Sequence, residues 1–228
     1  MAEEKIIIDG VERLIASQSQ WQQRRDELLI KEKAHTRAGD RLAAERRRLP
    51  WTRVRPGYRF ESLAGGHDLV DLFAGRRQLI VYHHMLMDDD PAPCPGCAMV
   101  GDQIPHLSHL HQRDTSLVFV SAAAVNEIDA FKQRMGWHMP WYASRDSFNA
   151  DFGIDGGFGV NVFYRDGENI YRSYFTTGRA AEMLGTVWAF LDLTPGGRQE
   201  DWEDSPPNSI QTPPYQWWRL HDEYDAVK

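Results

Sequence analysis

The sequence lacks long hydrophobic runs and is poor in cysteine. No apolar stretch approaches the roughly 20 residues that a helix needs to cross a bilayer. The chain starts with MAEEKIIIDG, which has neither the basic start nor the apolar core of a secretory signal. We therefore expect a cytoplasmic protein without a membrane partner. The chain has only two cysteines, Cys94 and Cys97, too few for the disulfide framework of a secreted mini-protein.

The sequence also lacks an excess of positive charge. It has 26 basic and 33 acidic residues, with a formal net charge of -7. Nucleic-acid binding needs a basic surface or stripe, so we expect no nucleic-acid partner. Hydrophobic residues make up 42% of the chain and aromatic residues 11%, which is enough for a folded interior.

Three regions differ in composition. Residues 1–50 are charge-rich, with a sparse helical stripe of apolar residues from Val11 to Leu49, and Gly39 marks a break between two helices. We predict a helical extension that covers the domain or joins copies into a homo-oligomer. Residues 51–193 form the predicted main domain. Residues 194–228 form an irregular aromatic tail that we predict packs on it.

The main domain alternates strand and helix patterns. The continuous apolar runs in residues 78–86 and 115–122 are typical of strands covered on both faces of a parallel sheet. One helix is predicted from Cys97 to about Gln112 and another over residues 125–135. The Asp166-Gly167 pair indicates a hairpin, and a helix is predicted from Arg179 to Leu193. The pattern predicts an α/β fold.

The cysteine pair follows the first of these strands, in the segment Cys94-Pro95-Gly96-Cys97. Open α/β sheets place their sites at this position. At a helix N-terminus, free backbone N–H groups and the helix dipole favour a thiolate, so we predict that Cys94 is the nucleophile. Pro95 suits the first helical turn, and Gly96 lets the backbone pass close to the sulfurs. Cys97 is then placed to resolve a mixed disulfide.

Charged and titratable residues precede the pair. If Asp88, Asp89 and Asp90 face Cys94, their charge raises its pKa. His83 and His84 alternate along the strand, so one faces the core and the other the opposite layer. Each is interpreted either as a structural histidine or as a residue that supports the thiols.

Two other interpretations of the cysteines stay open: inert thiols, and a zinc site completed by other residues. Along an unbroken helix, Cys97 and His106 are about 13 to 14 Å apart, whereas zinc ligands lie about 2.0 to 2.3 Å from the metal. We therefore expect no metal and no cofactor.

Several motifs in order resemble one known family. FESLAGGHDLVDLFAGRRQLIVYHHM leading into CPGC resembles the peroxiredoxin-like and TlpA-like members of the thioredoxin superfamily. Together with DFG, VFYRDG, LDLTPGGRQEDW and WWRLHDEY, it is similar to the domain of unknown function 899 family, described as thioredoxin-like or dithiol-disulfide oxidoreductases. The resemblance covers about residues 20–225.

The resemblance implies a thioredoxin-like mixed sheet flanked by helices, with Cys94 attacking and Cys97 resolving. It also implies a thiol-disulfide oxidoreductase or thiol peroxidase. Thioredoxins carry a cis-proline before the strand that faces the site, but here GGFGVNVFYRDG has no proline. We therefore expect a small disulfide or peroxide as substrate, with an unknown electron donor, instead of a protein client. A non-catalytic thioredoxin-like assembly module is the alternative.

Two further residues are candidates for a supporting role. Tyr142 and Asp151 are predicted to lie near the carboxyl edge of the sheet, where a carboxylate can assist proton transfer to Cys97. The tail motif WWRLHDEY is a candidate lid over Cys94 or an ordinary docking segment.

Overall fold

The computed structural model describes residues 4–224. They form two compact units. The first contains the chain up to Leu49 and Phe190–Trp217, and the second contains Pro50–Ala189 and the segment from Trp218. The predicted tail, residues 194–228, is thus divided between the units, and its end belongs to the unit that holds the cysteines.

The first unit begins with a hairpin. Strands β1 (Glu4–Ile8) and β2 (Val11–Ile15) pair antiparallel. Asp9 and Gly10 connect them, both with positive φ, the conformation that an Asp-Gly turn adopts readily. The predicted helix over residues 11–15 is therefore wrong, because this turn signal and the flanking isoleucines favour a hairpin.

One long helix, α1 (Gln18–Arg46), follows. Ser17 caps it: its side chain accepts a hydrogen bond from the backbone of Gln20, and the Gln20 side chain accepts one from the backbone of Ser17. The predicted break at Gly39 is wrong, because one interior glycine costs a helix only about 1 kcal/mol.

The remainder of the first unit is organised by a buried carboxylate. Glu200 is 2% exposed. It accepts hydrogen bonds from the indole N–H groups of Trp202 and Trp217 and from the backbone of Tyr215. The aromatic residues of this segment therefore pack around one charged group.

The second unit is built on an eight-stranded mixed sheet in the order β3-β10-β9-β6-β7-β8-β4-β5. The strands are β3 (Thr52–Arg53), β4 (Arg59–Ser62), β5 (Gly65–Asp68), β6 (Gln78–His83), β7 (Thr115–Ser121), β8 (Trp141–Ala143), β9 (Gly159–Asp166) and β10 (Asn169–Thr176).

Strands β6, β7 and β8 are parallel, and all other pairings are antiparallel. Strand β6 lies between β7 and β9, with Val81 opposite both Val118 and Asn161. Its continuous apolar sequence is explained by this central position, since both faces are covered. The hairpin at Asp166-Gly167, between β9 and β10, is confirmed.

Within the described residues, five α-helices follow α1: α2 (Pro95–Asp102), α3 (Ser108–His111), α4 (Val125–Met135), α5 (Phe148–Asp151) and α6 (Thr186–Asp192). Helix α4 has the predicted bounds. The predicted helix from Cys97 to Gln112 is wrong, because Pro105 lies between α2 and α3 and cannot donate a helical hydrogen bond.

The predicted helix from Arg179 to Leu193 is also divided. A 3-10 helix (Gly178–Leu184) comes first, and α6 begins after Gly185. A Cβ atom on Gly185 would lie 2.0 Å from the Trp188 ring. The break therefore allows the indole to pack against the backbone. Among residues 4–224, no helix is long and apolar enough to cross a membrane.

Candidate functional site

The cysteine pair lies where the chain leaves the central strand β6 and enters α2. Cys94 is the N-cap of α2, and Pro95 is its first residue. The backbone N–H of Cys97 donates a hydrogen bond to Cys94 Sγ over 3.4 Å. Both cysteines are free thiols. The N-terminus of α2 thus presents a backbone donor to the sulfur of Cys94, as predicted.

Hydrogen bonding makes Cys94 the more acidic thiol. The Cys97 side chain and the backbone N–H groups of Cys97 and Gly96 lower the pKa of Cys94 to about 6, although burial and the charge of Asp90 act in the opposite direction. At pH 7, roughly nine-tenths of such a thiol is thiolate. Cys94 is therefore suited to nucleophilic attack at neutral pH.

Cys97 has the opposite character. It is 1% exposed. The neighbouring Cys94 and burial raise the pKa of Cys97, so it keeps its proton while Cys94 is ionised. The two adjacent thiols are thus chemically unequal. A partly exposed thiolate beside a buried thiol is the arrangement that an attacking and a resolving cysteine require.

The three aspartates before the pair have different orientations. Asp88 pairs with Arg145 and accepts a 2.8 Å hydrogen bond from the backbone of Ala124. Asp90 accepts a 3.0 Å bond from the backbone of Ala92, and its charge raises the pKa of Cys94. The charge of Asp90 therefore disfavours ionisation of Cys94, whereas the charge of Asp88 is neutralised by Arg145.

A tyrosine that the sequence analysis did not select lies behind the pair. Tyr82 on β6 is 2% exposed. Its hydroxyl interacts electrostatically with Cys97, but no hydrogen bond of standard geometry satisfies it within the described chain. Burial, together with the nearby Cys97, raises the pKa of Tyr82. The hydroxyl therefore stays protonated and is available to donate to the Cys97 sulfur.

His83 forms a hydrogen-bonded network next to the site. Its Nδ1 lies 2.8 Å from Asn149 Oδ1, and its Nε2 lies 3.0 Å from Asn161 Nδ2. Burial lowers the pKa of His83 to about 4, so the ring is neutral. Since Asn149 offers an oxygen, Nδ1 carries the proton and Nε2 accepts from Asn161.

His84 faces the opposite layer, as the strand alternation predicts. Five aromatic rings surround it, those of Tyr82, Phe119, Phe131, Trp137 and Trp141. Both ring nitrogens are buried, and no hydrogen bond to another described residue satisfies them. Burial lowers the pKa of His84 to about 3. It contributes to an aromatic cluster as a neutral ring.

A cleft of about 540 Å³ opens beside Cys94. Met85, Leu86, Met87 and Ile154 give it apolar walls. Its polar lining includes His83, Asp90, Ser144, Arg145, Asp146 and Asn149, and Gly156 and Gly157 also contribute to it. A cleft of this volume matches the size of small-molecule sites.

On its other side, the cysteine turn contacts Trp218, which follows the first unit in the C-terminal part of the chain. The ring of Trp218 lies so close to Gly96 that a Cβ atom there would be 2.4 Å from Trp218 Cζ3. Gly96 was predicted to allow close passage of the backbone near the sulfurs. The structure shows a second reason for a glycine at this position: any side chain here would overlap the Trp218 indole.

Tyr142 and Asp151 do not line the cleft that contains Cys94. The Asp151 carboxylate pairs with Arg55 at 2.7 Å and accepts hydrogen bonds from Tyr58 and Ser147. Tyr142 packs edge-on against His67. The structure therefore does not bring these two predicted residues to the thiols.

A continuous helix from Cys97 to His106 was the premise for expecting no metal site. The chain breaks between α2 and α3, so this premise is wrong. Within residues 4–224, no three His, Cys, Asp or Glu side chains are grouped so as to hold a metal ion.

Sequence reasoning missed Tyr82, Arg145 and Trp218. In the sequence, Tyr82 is one more residue of an apolar strand. Because side chains alternate along a strand, Tyr82 lies on the same face as His84, two residues later. Arg145 and Trp218 are distant in sequence from the cysteines, and no local pattern indicates their contacts. The aromatic tail motif was the one available signal for Trp218.

The sheet order β10-β9-β6-β7, with cysteines at the start of the helix after β6, defines a thioredoxin-like α/β fold. Residues 11–224 match the family described as "Bacterial protein of unknown function (DUF899)", and the chain belongs to this family. The suspected resemblance is therefore confirmed. A search of curated proteins found no significant match.

Similar solved structures are peroxiredoxins. The mitochondrial 2-Cys peroxiredoxin from Plasmodium falciparum is 14% identical, with a TM-score of 0.41, and the match covers 62% of this chain and 94% of that chain. Thioredoxin peroxidase I of Plasmodium yoelii is 13% identical, with a TM-score of 0.39, covering 59% and 83%. A PrxQ mutant from Xylella fastidiosa is 16% identical, with a TM-score of 0.37, covering 59% and 89%.

Proposed function

We propose that this protein is a thiol-disulfide oxidoreductase or thiol peroxidase in which Cys94 attacks and Cys97 resolves. The main support is the hydrogen-bonded Cys94 sulfur, held at the N-terminus of α2 and open to a cleft. The low pKa of Cys94 and the raised pKa of Cys97 support these two roles.

With a disulfide substrate, the Cys94 thiolate attacks one sulfur and expels the other as a thiolate, which leaves a mixed disulfide. Cys97 then loses its proton, and its sulfur attacks Cys94 Sγ. The second half of the substrate leaves as a thiolate, and the protein becomes the Cys94–Cys97 disulfide. The substrate gains two electrons from the two protein sulfurs. Cys97 supplies one proton, and the second comes from water, because Cys94 starts as a thiolate.

With a peroxide, the Cys94 thiolate attacks one oxygen, and the O–O bond breaks. The leaving oxygen takes a proton and departs as water or an alcohol, while Cys94 becomes a sulfenic acid. Cys97 then displaces water to form the same disulfide. A dithiol donor returns the protein to the reduced state in either case. Neither sequence needs a cofactor.

The cleft favours a small disulfide or peroxide as substrate. Its apolar walls suit a compact, mostly uncharged molecule, because Arg145 is already paired with Asp88 and two other carboxylates line the cleft. Steady-state rates with a peroxide and with a small disulfide, measured side by side, distinguish the two reactions. A cytoplasmic location, and homo-oligomers formed through α1, remain part of the proposal.

The most direct test is the pH dependence of Cys94 alkylation by iodoacetamide. In the wild type, we expect the alkylation rate to reach half of its maximum at about pH 6. In Cys97→Ser, a mixed disulfide of Cys94 with a small aromatic disulfide should accumulate, because nothing resolves it. An ordinary thiol midpoint near about 8.5, together with no trapped mixed disulfide, would contradict the proposal and favour a non-catalytic assembly module.

A further inference from the structure

The indole of Trp218 occupies the surface over the turn between the two cysteines. It contacts Gly96 so closely that a Cβ atom there would lie 2.4 Å from Trp218 Cζ3 and 2.8 Å from Cε3. On its other side it packs against Trp188, with ring centroids 5.6 Å apart. One side of the turn is therefore covered by an aromatic ring, although Cys94, Pro95 and Gly96 keep intermediate exposure.

The segment that carries Trp218 is held in place by several contacts. Leu220 is 2% exposed. The guanidinium group of Arg134 on α4 pairs with both Asp222, at 2.7 and 3.0 Å, and Glu223, at 2.9 Å. His221 Nδ1 lies 2.7 Å from a carboxylate oxygen of Asp102 at the end of α2.

The opposite side of Cys94 is open. Cys94 lines the 540 Å³ cleft, and Trp218 does not. A molecule of small-ligand size can therefore reach the sulfur from this side. A disulfide in a polypeptide has a different requirement, because the chain on both sides of it must lie against the surface around the attacking thiol.

We propose that Trp218 is a specificity-determining residue that excludes polypeptide disulfides from Cys94 and leaves the cleft as the route for small disulfides or peroxides. This inference rests on the proposed thiol chemistry and deepens it, since it names the substrate class. The indole fills the space over Gly96 that an extended chain would need.

The test compares small and bulky reagents on the full-length reduced protein. Alkylation of Cys94 is measured with N-ethylmaleimide and with a maleimide attached to a bulky polymer, and the modified residue is identified by mass spectrometry. Disulfide exchange is measured with a small aromatic disulfide and with insulin. In the wild type, both bulky reagents should react far more slowly than the small ones.

Trp218→Ala should raise the rates with the polymer maleimide and with insulin by about tenfold or more, and change the small-reagent rates by less than about threefold. Arg134→Gln, which removes one of the contacts that hold the segment and leaves the indole intact, should act in the same direction. The matched control is Trp51→Ala, since Trp51 is 47% exposed and packs on Tyr164 and Tyr171. It should leave all four rates unchanged.

Equal reaction of wild type with small and bulky reagents would overturn the inference about Trp218. The same holds if neither Trp218→Ala nor Arg134→Gln accelerates the bulky reagents. Size-selective alkylation without exchange of either disulfide, and without peroxide reduction, would instead overturn the proposed function. The two failures are therefore distinguishable.

Discussion

At the residue scale, the site is defined by the difference between two thiols of the same kind. Cys94 lies at the end of a loop, and its sulfur accepts a hydrogen bond from the backbone N–H of Cys97. Cys97 lies in the first turn of α2 and is buried. The interaction between the two cysteine side chains lowers the pKa of Cys94 and raises that of Cys97. A disulfide between them removes this charge from the site, so the local electrostatics depend on the redox state.

Asp90 gives the first prediction. Because the charge of Asp90 raises the pKa of Cys94, Asp90→Asn should lower it. Alkylation of Cys94 just below its midpoint should then accelerate by up to about threefold. Asp90→Glu is the matched control and should have little effect, since it keeps the negative charge. Equal effects of the two substitutions would contradict the assigned role of the Asp90 charge.

Tyr82 gives the second prediction. Its buried hydroxyl can donate to the Cys97 sulfur when that sulfur becomes a thiolate, a bond that is strong in a buried site. Tyr82→Phe keeps the ring and should slow resolution of the mixed disulfide by about tenfold or more, without changing the first attack by Cys94. Stopped-flow measurement of both thiol-release steps checks this.

The alternative for Tyr82 is a hydroxyl that is merely unsatisfied. In that case Tyr82→Phe would leave resolution unchanged and raise the free energy of unfolding, because a buried unsatisfied polar group is costly. Urea unfolding of the variant, followed beside the kinetics, separates the two roles.

At the scale of elements, glycines in two helices provide a matched pair. A Cβ atom on Gly101 in α2 would lie 2.5 Å from the Trp137 ring, whereas one on Gly39 in α1 meets no atom within 4 Å. Gly101→Ala should therefore destabilise the protein by about 1–3 kcal/mol through overpacking. Gly39→Ala should stabilise α1 by about 0.5–1 kcal/mol, since alanine is the better helix former.

Urea unfolding monitored by circular dichroism measures both glycine variants. Stabilisation by Gly101→Ala would show that Trp137 shifts easily to admit a methyl group. We therefore expect the same substitution to have opposite effects on stability at the two positions, because a ring occupies the space at Gly101 and nothing does at Gly39.

Element boundaries were predictable where the signals were local. The spacing of Val125, Ile128, Phe131 and Met135 predicted α4, and the Asp-Gly pair predicted the hairpin of β9 and β10. The division of the predicted helix from Arg179 to Leu193 was not foreseen, because Gly185 breaks this segment to accommodate Trp188. That contact depends on packing, which periodicity alone does not contain.

At the scale of the whole molecule, the two buried histidines connect stability to pH. Burial lowers the pKa of His83 to about 4 and that of His84 to about 3. On unfolding, both take up protons below about pH 6.5. The contribution of the two neutral histidines to the free energy of unfolding is therefore fully present above that pH. It is lost as the pH falls towards their folded-state pKa values. At pH 5 the loss is about 2 kcal/mol for each histidine.

His84→Phe tests this dependence. Phenylalanine fits the aromatic cluster without a titratable group, so the variant should lose about half as much free energy of unfolding between pH 7 and pH 5 as the wild type. His138→Phe is the control, because His138 is exposed and its replacement should leave the dependence unchanged. Urea unfolding at both pH values provides the measurement. An unaltered pH dependence in His84→Phe would contradict the assignment.

The sequence by itself determined the central strands, the crossover helix α4 and the position of Cys94 and Cys97 at a strand-to-helix junction. These follow from hydrophobic periodicity and turn residues, which act between near neighbours in the chain. The resemblance on the quoted motifs correctly indicated the thioredoxin-like fold and the family, although it did not indicate what surrounds the thiols.

Only the tertiary structure decided which groups act on the two sulfurs. In the folded chain, Asp88 pairs with Arg145, Asp90 lies near Cys94, and Trp218 packs against Gly96. Asp151 pairs with Arg55 and does not contact the thiols. Such contacts join residues that are far apart in sequence, and they depend on how whole elements pack. Local sequence patterns therefore cannot determine them.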